Sequence, residues 1–87
     1  MRAHAHLEGE RVAMLERMIV APGVGVFRPL DVEAGSAVSI GEVVGVLEGP
    51  GTREPVRSAF NGVVVGFLAH AGERLREGQA VAWMRVA

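Results

Sequence analysis

From Pro22 onward, glycine and proline interrupt the chain about every six to ten residues and leave short, valine-rich runs between them. The runs are Met18 to Ala21, Val24 to Leu30, Val43 to Leu47, Val56 to Ala59, Val63 to Leu68 and Ala80 to Val86. Each is too short for an independent helix, and β-branched side chains suit a pleated, half-buried surface. Alternation of apolar and polar positions is weak, because Val43-Val44 and Val63-Val64-Val65 are apolar at successive positions. Length and flanking glycines therefore decide for strands. Before Met18 the pattern changes: Leu7, Met14, Leu15 and Met18 are separated by charged residues. That spacing fits a short amphipathic helix or a frayed tail, which sets residues 1–17 apart from a domain over 18–87.

The runs repeat. Ala21 to Glu48 aligns with Ser58 to Arg85 without a gap, at an offset of 37 residues, the separation of Gly25 and Gly62. The alignment pairs Val26 with Val63, Ala34-Gly35 with Ala71-Gly72, Gly41 with Gly78, and Val44 with Val81. Leu30, Val38, Val46 and Leu47 meet Phe67, Leu75, Trp83 and Met84. Each copy reads as a strand from the first glycine, a turn at Ala-Gly, a short strand, a second glycine turn and a longer strand. Two such units, each with one apolar face, predict an all-β fold: a small flattened barrel-sandwich of two quasi-symmetric four-stranded halves. Trp83, aligned with Val46, is expected to help fill the space between the sheets.

Composition narrows the chemistry. The chain has 87 residues, 49% of them hydrophobic, and a formal net charge of −1. At this size there is room for one modest core and no enclosed active-site cleft. Nearly balanced charge and few aromatics argue against nucleic acid. No apolar run approaches the ~18 residues of a membrane span. The opening Met1 to Arg11 lacks the apolar core of a signal peptide, so a cytoplasmic location is expected. Cysteine is absent, which removes thiol nucleophiles and disulfides. All nine basic residues are arginine. Without a lysine side chain, no Schiff base and no amide-tethered cofactor can be built on this sequence.

The stretch Ala21-Pro22-Gly23-Val24-Gly25-Val26-Phe27-Arg28-Pro29, followed by the turns in Val32 to Glu42 and Ala69 to Gln79, resembles the biotinyl/lipoyl-attachment domain, and within it the biotin carboxyl carrier proteins. The likeness spans about Met18 to Val86. It implies a hairpin between the two copies that carries the cofactor on a lysine, in a Glu-Ala-Met-Lys-Met motif. Here Glu48 takes the glutamate position, Gly49 and Pro50 replace Ala-Met, Gly51 stands where the lysine would be, and Thr52 follows. The resemblance thus implies a carrier-like domain without cofactor and without catalysis. Its expected role is an accessory, structural or regulatory subunit of an acetyl-CoA, other acyl-CoA or related biotin-dependent carboxylase. The partners it implies are biotin carboxylase or carboxyltransferase subunits, docked through Glu48, Gly49, Pro50, Gly51, Thr52 and Arg53. The alternative is a freestanding adaptor or binding module of the same fold, as in transport or envelope assemblies, unrelated to carboxylation, whose groove or open edge strand holds a peptide or partner.

Other residues add little chemistry. His4 and His6 share one side of an extended segment but lack the further ligands of a structural metal site. His70 precedes a glycine turn and reads as a solvated turn residue. Ser36, Ser39 and Ser58 have no indicated histidine partner, so no nucleophile–base pair is expected. Arg53, Arg57, Arg74 and Arg76 could gather near the sheet ends as a fork of donors for a partner's carboxylate.

Overall fold

The computed structural model describes residues 15–86, and within them it is all-β. Eight strands follow one another: β1 (Leu15–Val20), β2 (Gly25–Pro29), β3 (Ala37–Val38), β4 (Val43–Gly49), β5 (Thr52–Arg57), β6 (Gly62–Phe67), β7 (Arg74–Leu75) and β8 (Ala80–Val86). They form two four-stranded antiparallel sheets, in the orders β1-β8-β6-β3 and β5-β4-β2-β7. The expected sandwich is therefore present. The chain enters it at Leu15, so Leu15 to Arg17, assigned from sequence to the tail, lie in the first strand. The rest of that tail, with His4 and His6, lies outside the described residues.

The 37-residue offset relates every strand of β1–β4 to one of β5–β8, and it exchanges the two sheets. Even β1 and β5, which share almost no sequence, superpose on this count, and each buries a single residue, Ile19 and Val56. Each sheet draws strands from both copies. The crossing occurs at the Ala-Gly turns. Gly35, at φ +93°, donates its N–H to the Val64 carbonyl at 2.8 Å, and Val64 donates back to the Ser36 carbonyl at 2.9 Å. The second copy repeats the exchange between Gly72, at φ +83°, and Phe27, and between Phe27 and Glu73, each at 2.8 Å. Positive φ suits glycine there, and the turn hands β3 and β7 to the opposite copy.

The core lies between the sheets and contains Ile19, Phe27, Val38, Val44, Leu47, Val56, Val64, Leu75, Val81 and Met84. Among the described residues, Ser58 is the buried polar one. Its hydroxyl donates to the Phe60 carbonyl at 2.7 Å and accepts from the Phe60 N–H at 3.1 Å, which offsets its desolvation. Trp83 is not in this core. It is half-buried in register with Met18 and Gly66, between inward-facing Ala82 and Met84, and so stands on the outer face of its sheet. Its copy-mate Val46 is likewise half-buried between buried neighbours.

Two glycines of the repeat are fixed by close backbone approach. A Cβ at Gly25 would sit 3.0 Å from the Glu48 carbonyl oxygen. One at Gly62 would run into the Arg85 carbonyl oxygen and lie 2.8 Å from Val86 Cγ1. Gly62→Ala is therefore expected to cost about 2 kcal/mol or more, and Gly25→Ala less. Thermal unfolding of the two variants checks the order, and equal midpoints would contradict it.

Candidate functional site

The β4–β5 hairpin closes on two residues, Pro50 and Gly51, with Gly49 and Thr52 as its last pair. Proline presets φ near −65° at the first turn position, and Gly51 at φ +68° supplies the positive φ of a type II turn at the second. A Cβ on Gly49 would come within 2.9 Å of Thr52 Oγ1, so glycine also lets the strands close beneath the turn. Gly51 is exposed at the apex.

Below the apex, Glu48 sits between two guanidinium groups. Arg28 Nε donates to Glu48 Oε1 at 3.1 Å, and Arg53 Nε lies 3.7 Å from Oε2. Both arginines are largely solvent-exposed, so each pair contributes little stability and mainly orients the carboxylate. Register places Arg74, Val26, Glu48 and Arg53 in one row across the outer face of this sheet, with Arg28, Val46 and Pro55 in the next. The face thus carries Arg28, Arg53 and Arg74, of which Arg28 and Arg53 flank the Glu48 carboxylate.

The sequence-derived docking residues Glu48, Gly49, Pro50, Gly51, Thr52 and Arg53 accordingly form one contiguous tip. Of the four arginines considered together, Arg53 and Arg74 share a row. Arg57 turns away and donates to the Gly41 carbonyl at 2.8 Å. Arg76 sits in the turn before Gly78, where its N–H donates to Gln79 Oε1 at 3.1 Å. Sequence reasoning did not bring Arg28 to the tip, because only the pairing of β2 with β4 sets Arg28 beside Val46 and diagonal to Glu48.

His70 is exposed, with Nδ1 3.5 Å from Glu73 Oε1. Its backbone N–H donates to that same oxygen at 2.9 Å and, with weaker help from the imidazole and Gln79, holds the Glu73 carboxyl below the usual range. This turn has a counterpart at Ser36, whose hydroxyl accepts from the Glu33 N–H at 3.0 Å. Both are turn-closing contacts. Among the described residues, no three His, Asp or Glu side chains gather as a metal site. An apolar hollow beside β6, lined by Val63, Val65 and Val86 with Asn61 and Arg85 at its rim, holds no converging polar groups. Asn61 Oδ1 already accepts from the Ile40 N–H at 2.7 Å. Among the described residues, no helix is long and apolar enough to cross a membrane.

Fold and site together define a class: a small β-sandwich of two interleaved repeats with a charged hairpin at the junction of the copies. No family model matches the chain, and no curated protein matches it.

Proposed function

We propose that this domain is a non-catalytic docking module of carrier type, an accessory subunit that engages a biotin-dependent carboxylase without carrying biotin itself. One observation carries the reading: a two-residue hairpin joins the copies and presents Gly51 at its apex, in a sequence with no lysine. Biotin and lipoate are both joined through a lysine amide, so the tip has a display geometry and no amine to load. Glu48, oriented by Arg28 and Arg53, gives the tip a fixed carboxylate and two guanidinium forks that recognise planar anions on a partner. Occupying the docking surface of a loaded carrier would limit the number of working arms in a complex.

The test is purification of the tagged full chain from its native cells, beside an Arg28→Glu, Arg53→Glu variant, with streptavidin blotting and mass spectrometry. Biotin carboxylase, carboxyltransferase or biotinylated carrier should accompany the wild type, and at least about tenfold less should accompany the variant. Recovery of no carboxylase component at micromolar protein overturns the reading. A second reading, an adaptor unrelated to carboxylation, draws on the cationic face formed by Arg28, Arg53 and Arg74. It expects the same variant to release a different, acidic partner.

A further inference from the structure

The four sheet edges are β1, β3, β5 and β7. Exposed edges invite pairing with another chain, and proteins blunt them by shortness, charge or proline. Two edges, β3 and β7, are two residues long. A third, β5, has Pro55 at its centre, with Arg53, Glu54 and Arg57 about it. The fourth, β1, reads Leu-Glu-Arg-Met-Ile-Val over six residues, contains no proline, and exposes Leu15, Met18 and Val20. Among the described residues, its outer side has no backbone partner. The repeat supplies an internal control, because β1 and β5 occupy equivalent places, both carry charge, and only β5 has a proline.

We propose that β1 is a self-association edge, pairing antiparallel with β1 of a second copy of this chain so that the two β1-β8-β6-β3 sheets become one. This inference goes beyond the function proposed above and does not depend on it. The choice of occupant follows from the strand's own charges and register. In a two-fold pair within one sheet, opposite residues share a face, so the axis must pass through a residue. Centring on Glu16 or Arg17 sets like charges directly opposite, which is destabilising. Centring on Ile19 leaves only Met18 to Val20 paired. Centring on Met18 pairs five residues, Glu16 to Val20, with no like charges opposed.

That register is also continuous with the surface behind it. Met18 is 45% exposed and stands beside Trp83, which stands beside Gly66. The pair would make one apolar row of Gly66, Trp83 and Met18 running through the axis into the same three residues of the second copy. The equivalent row of the other sheet is Arg28, Val46 and Pro55 with Pro29 beside them, which is charged and closed to pairing. Pro55 has no N–H to give β4, and its equivalent, Met18, pairs with Trp83 as Pro55 pairs with Val46. The Met18 N–H is therefore directed away from β8, toward the open edge. Opposed Met18 residues would exchange both N–H···O bonds, with Cα atoms about 5.5 Å apart.

Sedimentation equilibrium of the full chain up to about 1 mM, the concentration at which an association of about 4 kcal/mol half-fills, tests the proposal. The wild type should show a concentration-dependent monomer–dimer equilibrium. Met18→Pro copies the protection present in β5 and should stay monomeric; Met18→Lys, should the proline variant fail to fold, should weaken association at least about tenfold by opposing like charges. In the cysteine-free chain, Met18→Cys should oxidise to a covalent dimer, since the expected Cα separation suits a disulfide. Ile40→Cys, 63% exposed on a turn, should not. A wild type that remains monomeric at about 1 mM, folded Met18 variants that associate like it, or equal cross-linking from both cysteine positions overturns the proposal.

Discussion

A chain divided at the Pro50–Gly51 turn will yield two pieces, residues 1–50 and 51–87, neither of which folds alone. Six strand ladders build the two sheets, and only β2–β4 and β6–β8 join strands of the same copy. The first piece would leave β1 and β3 without their neighbours β8 and β6, and the second would leave β5 and β7 without β4 and β2. An isolated two-stranded ladder is marginal in water. Each piece would also expose its share of a core that exists only between the sheets, where Phe27 and Leu47 of the first copy meet the same cluster as Val64, Val81 and Met84 of the second. Far-ultraviolet circular dichroism and amide proton dispersion of each piece should therefore be those of unfolded chains. Mixing the pieces should restore the spectrum, because the cut falls in an exposed turn and severs no ladder. A folded 51–87 piece would refute the interleaved architecture.

That interleaving was the part of the fold least legible in the sequence. Glycine spacing locates the strands, since a turn needing positive φ can be recognised one residue at a time at Gly35, Gly41, Gly72 and Gly78. Which strand neighbours which is decided by contacts between residues far apart in sequence, and the gapless offset says only that two like units exist. The start of β1 was hidden for a related reason. An edge strand that buries only Ile19 has no apolar alternation to display, and its mate β5 buries only Val56. Trp83 was misplaced because Val81, Ala82, Trp83 and Met84 are all apolar, so nothing in the run marks which positions face outward. The hairpin itself was legible from Pro50-Gly51, and its six residues do lie together. The Arg28–Glu48 contact at its base was not, since the two are twenty positions apart and meet only through strand pairing.

Replacing Phe27 with alanine will cost about 3–5 kcal/mol, a large part of the roughly 4–13 kcal/mol expected of a domain this size. Phe27 is fully buried, and its ring lies 6.4 Å from that of Phe67. The upper part of the range is expected because of Gly45. A Cβ there would lie 2.5 Å from Phe27 Cε1, so the ring rests against bare backbone, and no side chain stands ready to fill the space it leaves. At about 4–8 °C per kcal/mol, the thermal midpoint should fall by at least about 15 °C. The repeat offers a sharper form of the same experiment. The copy-mates of Phe27 and Gly45 are Val64 and Ala82, both buried: a large residue beside glycine on one side, and a smaller residue beside alanine on the other. Phe27→Val and Gly45→Ala should each destabilise alone, the first by leaving a void and the second by striking the ring. Together they should cost less than their sum by about 1–3 kcal/mol, because the methyl enters the space that the ring vacates. The rescue will be incomplete. A Cβ at Gly45 also lies 2.9 Å from the Arg28 carbonyl oxygen, and the ladder beside Ala82 relieves the equivalent approach with a bulge at Val65 that the β2–β4 ladder lacks. Strict additivity of the two substitutions in chemical denaturation would show that the ring and the glycine are not a matched pair.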